Sequence, residues 1–254
     1  MSDGVRRANE ERFSRTARVY ASSGIAERRA QNEALRRLAA PVPDDVVLDV
    51  ACGPGAVLTA FAPLVRQAIG LDLTMAMLRE ARARSRGRGV SLVRGEAERL
   101  PFRDGAFTLV CSTWAVHHFG DPRRVVLEMA RVCRPGGRLA VGDLVGSEDA
   151  ARRARQNAIE RLRDPAHVEL LSLDGLVDLL AGAGLVPAGR ATGVLHREFE
   201  EWCRIAQSPP DVVARVRQML LDTQPGDLAG MAPEAEGERI RFLHRWAIVV
   251  GVRR

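Results

Sequence analysis

A short apolar run followed by a glycine turn constrains the fold of this chain more than any other feature. Residues 46–50 read Val-Val-Leu-Asp-Val, which is typical of a buried strand, and residues 52–55 read Cys-Gly-Pro-Gly. A helix-like segment, residues 56–65, follows at once. A strand, a tight turn and a helix in this order predict the first unit of a parallel sheet, with free backbone N–H groups at the carboxyl end of the strand.

The same alternation continues along the chain. Further strands are predicted at residues 68–71, 91–94, 107–112 and 138–144, and helices at residues 74–83 and 122–132. After a polar helical segment (147–163) and a helix capped by Ser172, the C-terminal part reads strand, helix, strand at 185–199, 210–221 and 240–252. The alternation predicts an α/β fold with helices on both faces of a parallel sheet. We expect residues 246–250 to close the sheet as an edge or hairpin strand, and residues 223–237 to form a mobile loop.

The chain contains no lysine, since all 38 of its basic residues are arginine. This excludes Schiff-base chemistry, the phosphate-binding loop that ends in lysine, and protein-kinase catalysis. Tyr20 is the only tyrosine, so the Tyr-x-x-x-Lys pair of short-chain dehydrogenases is also absent. The net charge of +6 is weak evidence for a nucleic-acid partner, because arginine in place of lysine raises the isoelectric point without adding charge at neutral pH.

The cysteines and the apolar runs predict where the protein resides. The four cysteines lie far apart and form no C-x-x-C pair, which favours a reduced, cytoplasmic protein. The N-terminus is charged from the start, and no apolar run reaches the length of a membrane span. We therefore expect a cytoplasmic protein without a transmembrane segment.

An acidic residue follows the second predicted strand and suggests a ribose-containing ligand. Asp72 lies 17 residues after Gly55, where a carboxylate can accept hydrogen bonds from both hydroxyls of an unphosphorylated ribose. The dinucleotide fingerprint places a third glycine where this chain has Leu58, so a nicotinamide cofactor is disfavoured.

With Asp49 directly before the loop, the segment resembles the class I S-adenosylmethionine-dependent methyltransferases, in the branch of the ubiquinone and menaquinone (type 11) enzymes. Their loop has the form (Asp/Glu)-x-Gly-x-Gly-x-Gly, and Ala51 stands in place of the first glycine. The resemblance covers about residues 9–186. Other matching segments are residues 70–78, 95–102, 107–112, 117–119 and 134–137.

The resemblance implies a Rossmann-like, seven-stranded, mostly parallel sheet and S-adenosylmethionine as cofactor, with S-adenosylhomocysteine as product. It implies ribose contacts from Asp72, adenine packing by Leu73 and Met77, and adenine-edge contacts from Glu96 and the Ala97 backbone. The full set of predicted cofactor-binding residues is Tyr20, Asp49, Ala51, Gly53, Gly55, Asp72, Leu73, Met77, Glu96, Ala97 and Ser112.

Three histidines are the predicted catalytic residues. Methyl transfer needs a collinear nucleophile, methyl group and sulfur, and a base where the nucleophile carries a proton. His117, His118 and His167 are candidates because the pKa of histidine lies near neutrality. We expect one of the adjacent pair to be structural and the other to face the site, with His118 preferred as the base. No metal site is predicted, because His117, His118, His167 and Asp143 lack local ligand spacing.

The predicted organisation is an N-terminal helical cap (1–40) and a methyltransferase domain (41–254). The domain carries a lid segment (147–167) and a C-terminal strand-helix-strand unit (185–254).

The predicted acceptor is a small hydrophobic or aromatic metabolite, a quinone precursor or natural product, methylated on O, C or N. Two alternatives stay open: a cyclisation or isomerisation on the same fold, and RNA methylation. The latter is disfavoured because Ser112-Thr113-Trp114 replaces an Asn-Pro-Pro-Tyr-like motif and no RNA-binding domain is attached. The oligomeric state is open.

Overall fold

The computed structural model describes residues 3–23 and 29–254. Its helices are α1 (Asp3–Ser22), α2 (Arg29–Ala39), α3 (Ala56–Phe61), α4 (Met75–Arg84), α5 (Pro122–Val132), α6 (Ala150–Arg163), α7 (Leu173–Ala181), α8 (Phe199–Ala206) and α9 (Pro210–Asp222). Its strands are β1 (Val46–Val50), β2 (Gln67–Asp72), β3 (Val90–Arg94), β4 (Phe107–Thr113), β5 (Cys133–Val145), β6 (Leu185–Glu198), β7 (Glu234–Glu236) and β8 (Arg239–Arg253). Residues 24–28, part of the predicted helical cap, lie outside the described residues.

All the strands belong to one mixed sheet. The strand order is β3-β2-β1-β4-β5-β8-β6, and the short β7 pairs with β8 as an eighth strand. The first five strands in this order run parallel, while β8 is antiparallel to both β5 and β6. Helices cover both sides of the sheet. The prediction of a Rossmann-like, mostly parallel α/β fold is confirmed, with seven strands in the main path.

The C-terminal part differs from the prediction in two places. Residues 246–250 were expected to close the sheet as an edge or hairpin strand. They lie in β8, which is not an edge strand but lies between β5 and β6, and β6 forms the edge. The reason is that Ala247, Ile248, Val249 and Val250 are all buried, so both faces of β8 need cover, as in an interior strand. The start of β8 does pair with β7 as a hairpin. The predicted loop 223–237 contains β7, and its Met231 is fully buried in a cluster with Phe242, so part of the segment belongs to a core.

Two apolar layers fix the sheet between its helices. One cluster packs α5 and α7 on one face of the sheet, through residues such as Val126, Met129 and Leu176. The other packs α2 and α3 on the opposite face, through Leu35 and Phe61. Helix α1 contacts α4 and α8 and contributes residues to the cavity described below. In the part of the chain that the structure describes, no helix has the length and apolarity needed to cross a membrane.

Candidate cofactor and active site

A cavity of about 1000 Å³, including its mouth, opens where β1, β2 and β4 end. Eight of the eleven predicted cofactor-binding residues line it: Tyr20, Ala51, Gly53, Asp72, Leu73, Met77, Glu96 and Ala97. His118 lines it as well. Several other polar or aromatic residues that line the cavity were not predicted as site residues, among them Asn9, Phe13, Asn32, Glu98, Trp114 and Phe119. Most of these belong to α1, α2 or the segment after β4, which meet here from distant parts of the chain.

The turn after β1 holds its shape through backbone strain and hydrogen bonds to β2. Ala51 and Gly53 have φ values of +56° and +50°, in the left-handed region. An alanine in this region costs about 1 kcal/mol, which explains why related loops carry glycine at the position of Ala51. The Cys52 N–H donates to the Leu71 carbonyl over 3.0 Å. A Cβ at Gly53 would meet no protein atom within 4 Å, so the cavity is open at this glycine.

Asp72 connects the turn to the start of α4. Its Oδ2 accepts the Gly53 N–H over 2.9 Å, and its Oδ1 accepts the Thr74 N–H over 2.9 Å and the Thr74 hydroxyl over 2.7 Å. Burial raises the pKa of this carboxyl group, although these hydrogen bonds oppose the change. The carboxylate is thus held in a fixed orientation at the cavity wall, next to the apolar side chains of Leu73 and Met77.

Asp49, Gly55 and Ser112 were predicted to bind the cofactor but do not line the cavity. Asp49 is buried below the turn, where burial and the charge of Asp72 raise its pKa to about 8. Gly55 has φ +78°, and a Cβ there would lie 3.1 Å from the Ala81 Cβ, so this glycine allows α4 to approach. Ser112 is fully buried, because residues alternate along β4 and its neighbour Thr113 faces the cavity.

The three candidate histidines lie close together but in different surroundings. The His117 ring contacts the other two, with ring centroids 4.0 Å from His118 and 5.6 Å from His167. His117 Nδ1 lies 2.6 Å from Asp143 Oδ1, and its backbone N–H donates to Asp143 Oδ2 over 2.8 Å. His167 Nε2 lies 2.8 Å from Asn157 Oδ1. Of the three, only His118 lines the cavity.

These surroundings shift the pKa values of the histidines in different directions. Burial opposes protonation of His117, but Asp143 outweighs it and raises the pKa of this imidazole. Burial, together with the neighbouring His117, holds the pKa of His118 well below its usual value. Burial also lowers the pKa of His167, to about 3. A neutral imidazole at the cavity wall can accept a proton. Across the described residues, no group of three or more His, Cys, Asp or Glu side chains is placed to hold a metal ion.

Comparison with known proteins identifies this arrangement. Residues 48–141 match the family model described as a methyltransferase domain. The uncharacterized methyltransferase YcgJ of Bacillus subtilis is 29% identical over 97% of this chain and 99% of its own length. Together with the fold, these matches support the assignment of the chain as a class I S-adenosylmethionine-dependent methyltransferase. S-adenosylmethionine is accordingly the cofactor of this enzyme.

Two solved structures and one further relative extend the comparison. The crystal structure of YcgJ superposes on this chain with a TM-score of 0.83 and 26% sequence identity. The match covers 89% of this chain and 98% of YcgJ. A Bacillus halodurans protein assigned as a methyltransferase has a TM-score of 0.84 at 29% identity, covering 88% and 98%. The demethylmenaquinone methyltransferase of Corynebacterium kroppenstedtii is 34% identical over 43% of this chain and 46% of its own length.

Proposed function

We propose that the enzyme transfers a methyl group from S-adenosylmethionine to a small, neutral, hydrophobic or aromatic metabolite, with His118 as the general base. The observation that carries the proposal is the cavity itself. One part presents the glycine turn and Asp72, and another presents His118 among aromatic side chains: Phe13, Tyr20, Trp114 and Phe119. Such a lining suits a flat apolar acceptor.

The polar part of the cavity fits the cofactor. We assign the ribose hydroxyls to Asp72, the adenine walls to Leu73 and Met77, and the adenine edge to Glu96 and the Ala97 backbone. The turn at residues 51–53 would hold the amino-acid end, because the open space at Gly53 lets a ligand approach the backbone closely. In this assignment Asp49 and Gly55 would support the turn, and Tyr20 of α1 would cover it.

The charges at the cavity wall disfavour an anionic acceptor. The charged side chains among the described lining residues are Asp72, Glu96 and Glu98, and no arginine is among them. A carboxylate or phosphate removed from water without a cationic partner is costly. The chain has 38 arginines, but none of them is among the described residues that line the cavity. This lining therefore favours a neutral acceptor.

The hydrogen bonding of His118 leaves one ring nitrogen available as a base. Its Nδ1 lies 2.8 Å from the Ala166 carbonyl oxygen. A carbonyl only accepts hydrogen bonds, so Nδ1 carries the proton and Nε2 of the neutral ring keeps its lone pair. S-adenosylmethionine supplies an electrophilic methyl group. Nε2 would accept the proton of an O–H, N–H or acidic C–H of the acceptor, whose electron pair would take the methyl group, with S-adenosylhomocysteine as the other product.

We assign supporting roles to the surrounding elements. His117, paired with Asp143, would hold the turn that carries His118, and His167 would hold the segment after α6 through Asn157. The helices of residues 1–40 would act as a cap, and residues 147–167 as a lid. A quinone precursor agrees with the name of the demethylmenaquinone relative, and other natural products with a phenolic hydroxyl satisfy the same chemistry.

A panel of acceptors tests the proposal. The enzyme is incubated with S-adenosylmethionine and either neutral phenols and hydroquinones or matched carboxylates and phosphates, and S-adenosylhomocysteine is measured by chromatography. We expect turnover only with the neutral group. His118→Asn keeps a donor near the position of Nδ1 but lacks the base, and it should lower kcat about 100-fold or more without weakening cofactor binding.

The control and the contradicting results are as follows. His196→Asn, at an exposed position of β6, should leave kcat unchanged. Turnover by His118→Asn at the rate of the unmodified enzyme would show that His118 is not the base. A product formed without S-adenosylhomocysteine would point to cyclisation or isomerisation instead.

A further inference from the structure

A chain of buried contacts joins helix α1 to the proposed base. The Arg12 Nε and Nη2 atoms lie 3.0 and 2.9 Å from Asp164 Oδ2. Asp164 Oδ1 accepts the Ala166 backbone N–H over 3.1 Å. The Ala166 carbonyl in turn accepts the His118 Nδ1–H. Four residues from three separate parts of the sequence thus form one continuous series of hydrogen bonds.

The two oxygens of Asp164 have different partners, which gives this carboxylate a bridging geometry. Oδ2 accepts hydrogen bonds from the Arg12 guanidinium on α1, and Oδ1 accepts the Ala166 N–H in the turn that follows α6. Both side chains of the ion pair are buried, with exposed fractions of 5% for Arg12 and 2% for Asp164. Burial opposes ionisation, but Arg12 and Arg163 outweigh it and lower the pKa of Asp164 to about 2. The carboxylate therefore stays charged at neutral pH.

The turn itself is attached to the residue that precedes the base. The N–H groups of Val168 and Glu169 donate to the His117 carbonyl over 2.8 and 3.2 Å. Helix α1 reaches His118 directly as well. The Asn9 amide donates to the His118 carbonyl over 2.9 Å, and the Phe13 ring meets the imidazole edge-on at 4.9 Å between centroids. The position of α1 and the orientation of the imidazole are thus linked by several contacts.

We infer that Arg12 and Asp164 are positioning residues that fix the Nδ1–H tautomer and the orientation of His118 when α1 is seated over the cavity. The inference rests on the proposed role of His118 as the base. The Ala166 carbonyl selects the tautomer, Asp164 places that peptide, and Arg12 places Asp164. Seating of the cap helix would therefore prepare the base, because without Arg12 the Ala166 carbonyl is less firmly held and the ring can rotate or exchange tautomers.

Nitrogen-15 NMR of histidine-labelled protein tests the inference without any acceptor. Long-range proton–nitrogen correlation distinguishes the two neutral tautomers, and His118→Asn assigns the signal of His118. The test variant is the double substitution Arg12→Met and Asp164→Asn, which removes both charges together and leaves no unpaired buried ion. We expect the unmodified enzyme to show the pure Nδ1–H pattern and the double variant to show a mixture of tautomers.

Two further variants make the result specific. Glu10→Gln removes an ion pair of α1 with Arg94 that does not contact His118, and it should leave the His118 signal unchanged. Arg12→Lys keeps the charge but loses the forked geometry, and we expect a smaller fraction of the second tautomer. If the double variant does not fold, Arg12→Lys decides the test. An unchanged His118 signal in the folded variants would overturn the inference.

Kinetics separates this inference from the proposed function. With the neutral phenol that is turned over fastest, the double variant should lose about 10- to 100-fold in kcat, while KM for S-adenosylmethionine changes little. A changed tautomer together with an unchanged kcat would leave the positioning role intact and refute His118 as the base.

Discussion

At the scale of single residues, two glycines two positions apart have different roles. Gly53 lines the cavity with open space at its missing Cβ, whereas Gly55 faces Ala81 of α4 at close range. Gly53→Ala should therefore weaken the binding of S-adenosylmethionine and lower the free energy of unfolding by only about 1 kcal/mol. Gly55→Ala should destabilise the protein by about 2–4 kcal/mol. Calorimetric titration and urea denaturation of both variants check this pair. A larger stability loss for Gly53→Ala would contradict the assignment.

Asp49 gives a second prediction at this scale. With a pKa of about 8, its buried carboxyl group is mostly protonated in the free enzyme at pH 7. The cofactor carries a sulfonium and an ammonium charge, and their field lowers the pKa of a nearby acid. Binding at pH 7 should therefore release a fraction of a proton. Binding at pH 9.5 should release none from this group, because it is already ionised.

Calorimetry in buffers with different ionisation enthalpies measures this proton release. Asp49→Asn is the matched variant, because it keeps the shape of the side chain and cannot titrate. We expect it to abolish the release at pH 7. Equal release in the variant and in the unmodified enzyme would show that another group is responsible.

At the scale of elements, His167 links the stability of the segment after α6 to pH. Asn157 Oδ1 accepts the Leu170 N–H over 2.7 Å. The same oxygen lies 2.8 Å from His167 Nε2, and because an amide oxygen only accepts, a neutral His167 donates its Nε2–H to it. The pKa of His167 is lowered to about 3 in the folded protein, against 6.5 in the unfolded chain. Its contribution to stability is therefore complete above pH 6.5 and is lost as the pH falls toward 3.

The expected size of this effect is about 2 kcal/mol between pH 7 and pH 5. The side chain of His167→Gln cannot titrate. Between pH 7 and pH 5, the free energy of unfolding of this variant should therefore decrease by about 2 kcal/mol less than that of the unmodified protein. Urea denaturation at both pH values gives the comparison, with His196→Gln on the exposed face of β6 as control. Parallel losses for His167→Gln and the unmodified protein would contradict a buried neutral His167.

The helices α5 and α7 were predictable because the signals at their starts are local. Helix α5 begins and ends at the predicted residues, since Pro122 and the Asp121 cap mark its start. The cap of α7 by Ser172 follows from the same kind of signal, with its hydroxyl accepting the Gly175 N–H. By contrast, the position of β8 inside the sheet depends on pairing with β5 and β6, which strand-like composition cannot specify.

The whole molecule explains which parts of the site could not be predicted. Asn9 and Asn32 reach the cavity only because α1 and α2 meet the carboxyl ends of distant strands, and no local pattern encodes that docking. Trp114 adopts φ +58° directly after β4, a conformation that no propensity predicts for tryptophan. Thr113 lines the cavity and Ser112 does not, because a shift by one residue along a strand exchanges the buried face and the cavity face.

The central claim is that this cavity binds S-adenosylmethionine with Asp72 as its ribose anchor. Calorimetric titration of the purified enzyme tests it most directly, beside Asp72→Ala and a control, Asp211→Ala, at an exposed position of α9. We predict saturable binding of one cofactor per chain, unchanged in the control and weakened about 30-fold or more in Asp72→Ala, because a charged acceptor is worth about 2 kcal/mol. No binding by the unmodified enzyme, or equal affinity in Asp72→Ala, would contradict the account.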